Sequence, residues 1–184
     1  MLQRRGLLGR RATLLTAGVA VGLAGALALG PGVLTPDAEG GAAATAGPVV
    51  VVVDGSGDVL EKVPLGGGRF AVSYRNSIYG TLAEERYEVG ADGRFALVEI
   101  AADQLAVLEE YYGVPGAPHR TTGTDRRTWA VDPDPTRPVV FERLSIAATD
   151  LGERTLHVPG YPPVALWRLV DENPTVVLDI KENP

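Results

Sequence analysis

The chain contains no cysteine, which excludes disulfides, thiol nucleophiles, zinc–thiolate centres and iron–sulfur clusters. That absence does not assign the chain to the cytoplasm, because many exported domains also fold without disulfides. Histidine is nearly absent as well: His119 and His157 are the only two. Nothing in the sequence draws further ligands toward either, so no metal centre and no cofactor is expected. Heptads, internal repeats and a phosphate-binding glycine loop are missing; "LGGGR" at 65–69 lacks the lysine and following helix of a P-loop. Ser77 has no histidine near it in sequence, which argues against a serine nucleophile, and no catalytic residue is expected. Basic residues are scarce beyond the N-terminal segment. Arg4, Arg5, Arg10 and Arg11 all precede Asp37, the first acid; of 17 basic residues these four leave 13, against 23 acids, a net of −10. Such a surface repels nucleic-acid phosphates and anionic membrane surfaces.

What the chain does have is a long uncharged run. Residues 12–34, ATLLTAGVAVGLAGALALGPGVL, carry no charge. As a helix they span about 34 Å at ~1.5 Å per residue, enough for a hydrocarbon core. Arginines on the N-terminal side and acids beyond it orient the following domain outside the cytoplasm. Two readings compete for residues 1–34, a signal anchor or a cleaved signal peptide. Ala44-Thr45-Ala46 fits a cleavage site but lies far beyond Leu29, where the strongly apolar run ends. "RRGLL" and "RRATLL" resemble a twin-arginine export signal without its full consensus. The long span and the distant cleavage motif favour the anchor, hence a single-pass protein of the cytoplasmic membrane; cleavage would make it secreted. Residues 35–47, TPDAEGGAAATAG, read as a flexible linker, and residues 48–184 as one extracytoplasmic domain.

That domain opens with "PVVVVVDGSGDVLEKVPL", two β-rich runs around turn residues. Asp54, Ser56 and Asp58 suggest a calcium loop, but the distal glutamate of an EF-hand is missing and a hairpin is the better reading. The stretch "FAVSYRNSIYGTLAEERYEV", residues 70–89, reads as a second hairpin. With Tyr79-Gly80 at the centre of its turn, Tyr74 faces Glu85, Asn76 faces Ala83 and Arg75 meets Glu84 on the other side. Asp92-Gly93 then sets Glu85 opposite Ile100, Tyr87 opposite Val98 and Val89 opposite Ala96, with Arg86 meeting Glu99. The inner face becomes Phe70, Val72, Tyr74, Tyr87, Val89, Val98 and Ile100, interrupted by Asn76 and Glu85. A polar pair on an apolar face is either a site or a hydrogen-bonded device that sets the register. Tyr74, Asn76, Ser77 and Glu85 are therefore the candidate ligand or partner contacts.

"ADQLAVLEEYYG" predicts one short helix, with Asp103 as cap, Leu105, Leu108 and Tyr112 at helical spacing, and Gly113 at its end. A long proline-rich excursion follows over residues 113–138. In it Asp132 and Asp134 read as turn residues, and "RRTWAV" as a strand. "FERLSIAA", "RTLHV", "PVALWRL" and "TVVLDI" are further short β candidates. The expectation is a mainly β domain, a small antiparallel sandwich or open barrel with one short helix.

The segment at 70–89, followed by an F-x-L-x-E strand, resembles domain-of-unknown-function family 1850. That family has an F-x-x-x-Y-x-H-S-V segment and then T-P-V-x-E. Phe70, Tyr74, Ser77, Ile78, Thr81 and Glu85 match; Asn76 stands where histidine is usual, and Leu82-Ala83 replace Pro-Val. "LSIAATDLGERTLHVPGYPPVALWRL" resembles its closing strands, so the likeness spans roughly residues 50–170. It implies a small exported or membrane-anchored bacterial protein without established catalysis. It also implies a neighbouring TRAP transporter of the TAXI type, or its binding protein, as partner, and a small organic acid or amino acid as ligand. Asn76 cannot titrate near neutrality, so an imidazole's role does not carry over. The resulting expectation is a non-enzymatic extracytoplasmic accessory or binding module of a solute transporter. The alternative is an envelope-associated structural or interaction domain unrelated to transport.

Overall fold

A computed structural model describes residues 47–112, 116–171 and 174–183. The expected N-terminal helix and nearly all of the expected linker lie outside the described residues. Among the described residues no helix is long and apolar enough to cross a membrane.

The domain is mainly β, 48% strand against 7% helix, in antiparallel sheets that do not close into a barrel. In chain order the strands are β1 (Gly47–Asp54), β2 (Val59–Pro64), β3 (Arg69–Arg75), β4 (Leu82–Val89), β5 (Phe95–Ala102), β6 (His119–Arg120) and β7 (Trp129–Val131). They continue with β8 (Val140–Phe141), β9 (Arg143–Ala147), β10 (Thr155–His157), β11 (Val164–Ala165) and β12 (Thr175–Asn183). One sheet runs β2-β1-β12-β9; the other runs β11-β10-β3-β4-β5-β7-β6, with β8 also paired to β5. The last strand returns beside the first, Gly47 opposite Asn183 and Asp54 opposite Val176.

Both sheets contribute to one core. Val50, Val52, Ile146, Val176 and Leu178 come from the first sheet, and Phe70, Val72, Tyr87, Phe95 and Leu156 from the second. Phe70 stacks on Tyr87 at 5.0 Å and meets Phe95 edge-on at 5.1 Å. A smaller core joins Tyr74, Ala83, Ile100 and Val131 to Val107 and Leu108 of the expected helix. Its Val107–Tyr112 part is wound as a π-helix. Val107 and Leu108 are fully buried, while Leu105 is only half-buried.

The first hairpin corrects the expected register. Phe70 pairs with Tyr87, Val72 with Glu85, Ser73 with Glu84 and Tyr74 with Ala83, a slip of two residues. Because strand side chains alternate, a two-residue slip keeps every side chain on its face but changes every partner. Tyr74 and Glu85 become diagonal neighbours, and Arg75 meets Glu153 at 2.7 Å instead of Glu84. The cause is the turn. The strand stops at Arg75, and Asn76 folds its own loop, accepting from the backbone N–H groups of Ile78 and Tyr79 at 3.0 and 3.1 Å. Gly80 closes that loop at φ +66°, where a Cβ is strained.

The second hairpin follows the expected pairing only in part. Glu85 opposes Ile100 and Arg86 opposes Glu99, as the alternation predicts. Between Arg86 and Tyr87 the register shifts, so Tyr87 faces Leu97 and Val89 faces Phe95. Val98 is the extra residue of a β-bulge. It leaves the inner face, and the bulge lets Phe95 and Leu97 turn inward instead; without it Ala96 would face in and Phe95 would face water.

Candidate functional site

The four expected contacts fall into two groups. Tyr74, Asn76 and Ser77 line a cavity of about 220 Å³ with Arg75, Thr149 and Arg154, and Glu85 is not part of that lining. Asn76 is 2% exposed and its side-chain oxygen is spent on its own turn, which favours the structural reading of that residue. Glu85 is half-buried and accepts from the Tyr87 hydroxyl at 2.7 Å. Burial and then the charge of Glu85 raise the pKa of Tyr87 well above a free phenol's, so that hydroxyl stays a donor. Tyr74 is buried, with the Arg154 guanidinium 4.8 Å from its ring centre. Ser77 is exposed.

The denser chemistry lies on the opposite face of the same sheet. Alternation on β3 and β4 turns Ser73, Glu84 and Arg86 away from the shared core. The excursion after the helix folds back over them. Glu84, with no exposed side-chain surface, accepts from Arg126 at 2.7 and 3.0 Å and from Arg86 Nε at 2.8 Å, and Arg127 Nε stands 3.7 Å away. Arg86 continues outward to Asp125 at 2.5 and 2.9 Å and to Glu99. Arg127, only 9% exposed, reaches Asp103 at 3.3 Å. The lattice thus ties β4, β5 and the excursion together.

Burial alone would raise the pKa of Glu84, but hydrogen bonds from Arg126 and Arg86 outweigh it and hold the group below the usual range. Arg86 hydrogen bonds likewise hold Asp125 low. Arg86 itself is pushed further up: burial opposes its charge, but Asp125 and Glu84 more than compensate. Glu84, Asp125 and Arg86 are therefore held in their charged forms at neutral pH.

Above this lattice lies a cleft of about 480 Å³, the larger of the two cavities at these sites. Its charged lining is Arg69, Arg86, Arg126 and Glu99, with His157 at one side and Phe70, Val98 and Pro159 among its apolar walls. His157 Nε2 and the Ser73 hydroxyl share a hydrogen bond of 2.8 Å. Burial, reinforced by Arg126, lowers the pKa of His157, and Glu84 only partly offsets this.

The sequence pattern already set Glu84, Arg86 and Ser73 on one face. It did not reveal that Asp125, Arg126 and Arg127 land upon them, because no periodicity governs where a long loop returns. The other candidates resolve locally. Asp54 accepts from the backbone of Ser56, Gly57 and Asp58 at 2.9 Å each, closing the turn between β1 and β2. Asp134 does the same for Thr136 at 2.9 Å. His119 is exposed, and Trp129 is half-buried beneath Arg120, whose guanidinium lies 4.7 Å from the ring. Among the described residues no group of His, Asp or Glu side chains is arranged to hold a metal ion. No family model, characterised protein or solved structure matches the chain.

Proposed function

We propose that this β domain is a non-enzymatic binding or accessory module of a membrane solute transporter of the TAXI-type TRAP class. On this reading the apolar segment 12–34 tethers the domain outside the cytoplasmic membrane, and the two antiparallel sheets act as the layers of a small sandwich. The observation that carries the binding role is the 480 Å³ cleft over the Glu84 lattice. Cations fixed by a buried carboxylate form a pre-organised surface that need not rearrange to receive a small polar ligand. The resemblance to domain-of-unknown-function family 1850 is what supports the transporter association. The test is affinity purification of the full chain from its native membrane, with solute uptake measured in a deletion strain. A co-purifying transporter subunit and lowered uptake support the proposal; an intact uptake profile with no transporter subunit recovered overturns it.

A second reading is an envelope interaction domain, with the 220 Å³ cavity as the contact. It is favoured by Leu151, 81% exposed in that cavity's lining, and Ile78, 70% exposed beside Ser77. Tyr74, Asn76 and Ser77 would then contact a protein, and Ile78→Ser with Leu151→Ser would release that partner without lowering stability.

A further inference from the structure

We infer that the 480 Å³ cleft takes a small zwitterion of the α-amino-acid type, its carboxylate on Arg126, its ammonium on Glu99 and an apolar side chain against Val98. The inference deepens the binding-module reading and rests on it. Arg126 has five N–H donors, and its two hydrogen bonds to Glu84 leave others for a ligand. Half of its side-chain surface is exposed, while the carboxylate that holds it is wholly buried, so the guanidinium is presented in a fixed orientation. Among the described residues Glu99 accepts from Arg86 through Oε1 and its Oε2 has no hydrogen-bond donor, which leaves that oxygen for an ammonium group. The volume lies within the range of ~300–1,000 Å³ common for small-molecule sites.

The charge arrangement selects among ligand classes. The lining cations Arg69, Arg86 and Arg126 are already paired with Glu88, Glu84, Glu99 and Asp125. A simple carboxylate gains Arg126 but finds the lining cations already neutralised by these pairs and leaves Glu99 facing it unanswered. A simple amine gains Glu99 but faces Arg86 and Arg126. A ligand with both charged groups on one carbon satisfies both groups and is penalised by neither. Val98 is available as an apolar wall because the bulge turns it out of the core.

The test titrates the full chain, in detergent solution, with L-leucine, 4-methylpentanoate and 3-methylbutylamine. These probes share one branched apolar group and carry both charges, the negative alone and the positive alone. Calorimetry should give saturable leucine binding at least about tenfold tighter than either single-charge probe, the scale of one charged hydrogen bond. Glu99→Gln should weaken leucine to the level of the acid and leave the acid no weaker. Val98→Trp, which fills the cleft, should remove leucine binding while the thermal transition persists. An acid that binds as tightly as leucine, leucine binding unmoved by Glu99→Gln, or no saturation by any probe overturns the inference. Transporter association without leucine binding sinks this inference alone; leucine binding without association sinks the transporter reading alone.

Discussion

Glu84 is the residue on which the outer face depends. A carboxylate with no exposed side-chain surface is tolerable only because Arg86 and Arg126 supply its hydrogen bonds. Removing it leaves Arg86 and the nearly buried Arg127 without a central partner. Glu84→Ala should therefore destabilise the fold by about 3 kcal/mol, read as a lowered urea midpoint at unchanged slope. Asn76 gives a gentler test of its structural role. Its side-chain oxygen serves two backbone donors, so Asn76→Ala should lose about 1–2 kcal/mol, while Asn76→Asp, which keeps the acceptor, should lose much less. A large effect of Asn76→Asp on ligand binding at constant stability would instead point to the amide as a contact.

At the scale of elements, the bulge in β5 decides which side chains build the core. Phe95 and Leu97 face inward on one side of Val98, and Ile100 and Ala102 on the other. Deleting Val98 removes the extra residue and leaves Phe95, Leu97, Ile100 and Ala102 in unbroken alternation, so no core side chain has to turn outward. No buried Phe or Leu, each worth about 1.5–3 kcal/mol, is turned to water, so the deletion should keep a single cooperative unfolding transition by circular dichroism. Alanine at Val98 keeps the residue count and should likewise leave a cooperative transition. The same pair of hairpins shows what alternation conveys. It placed Glu85 opposite Ile100 and Arg86 opposite Glu99 from sequence alone. It missed the two-residue slip of the first hairpin because side-chain parity is identical in both registers, and only the hydrogen bonds of the Asn76 turn distinguish them.

For the whole molecule the buried ionisable groups set one pH trend. His157 has its folded-state value lowered from 6.5, so the unfolded chain binds its proton more readily and stability falls as pH drops below about 6.5 toward the folded value. Glu84 and Asp125 are lowered from 4.5 and 3.8; their contribution is complete above those values and is lost as pH falls through the folded ones. Acidification should thus lower the thermal midpoint in two successive stages, with no gain at any step down from pH 8. Replacing His157 with Asn should flatten the first stage, and Glu84→Gln the second. The stages arise in one molecule because the excursion carrying Asp125–Arg127 closes over the sheet.

The sequence by itself determined local matters: most of the strands, the alternating faces of β3 and β4, a short helix after β5, the turns at Asp54 and Asp134, and the acidic balance. Periodicity and turn chemistry act within a few residues, so they are written in neighbouring letters. The tertiary structure alone decided that β12 returns beside β1, that the first hairpin slips by two, and that Arg126 and Arg127 meet Glu84. Those outcomes depend on which distant groups must share buried space and neutralise one another, and no short window of sequence contains both partners.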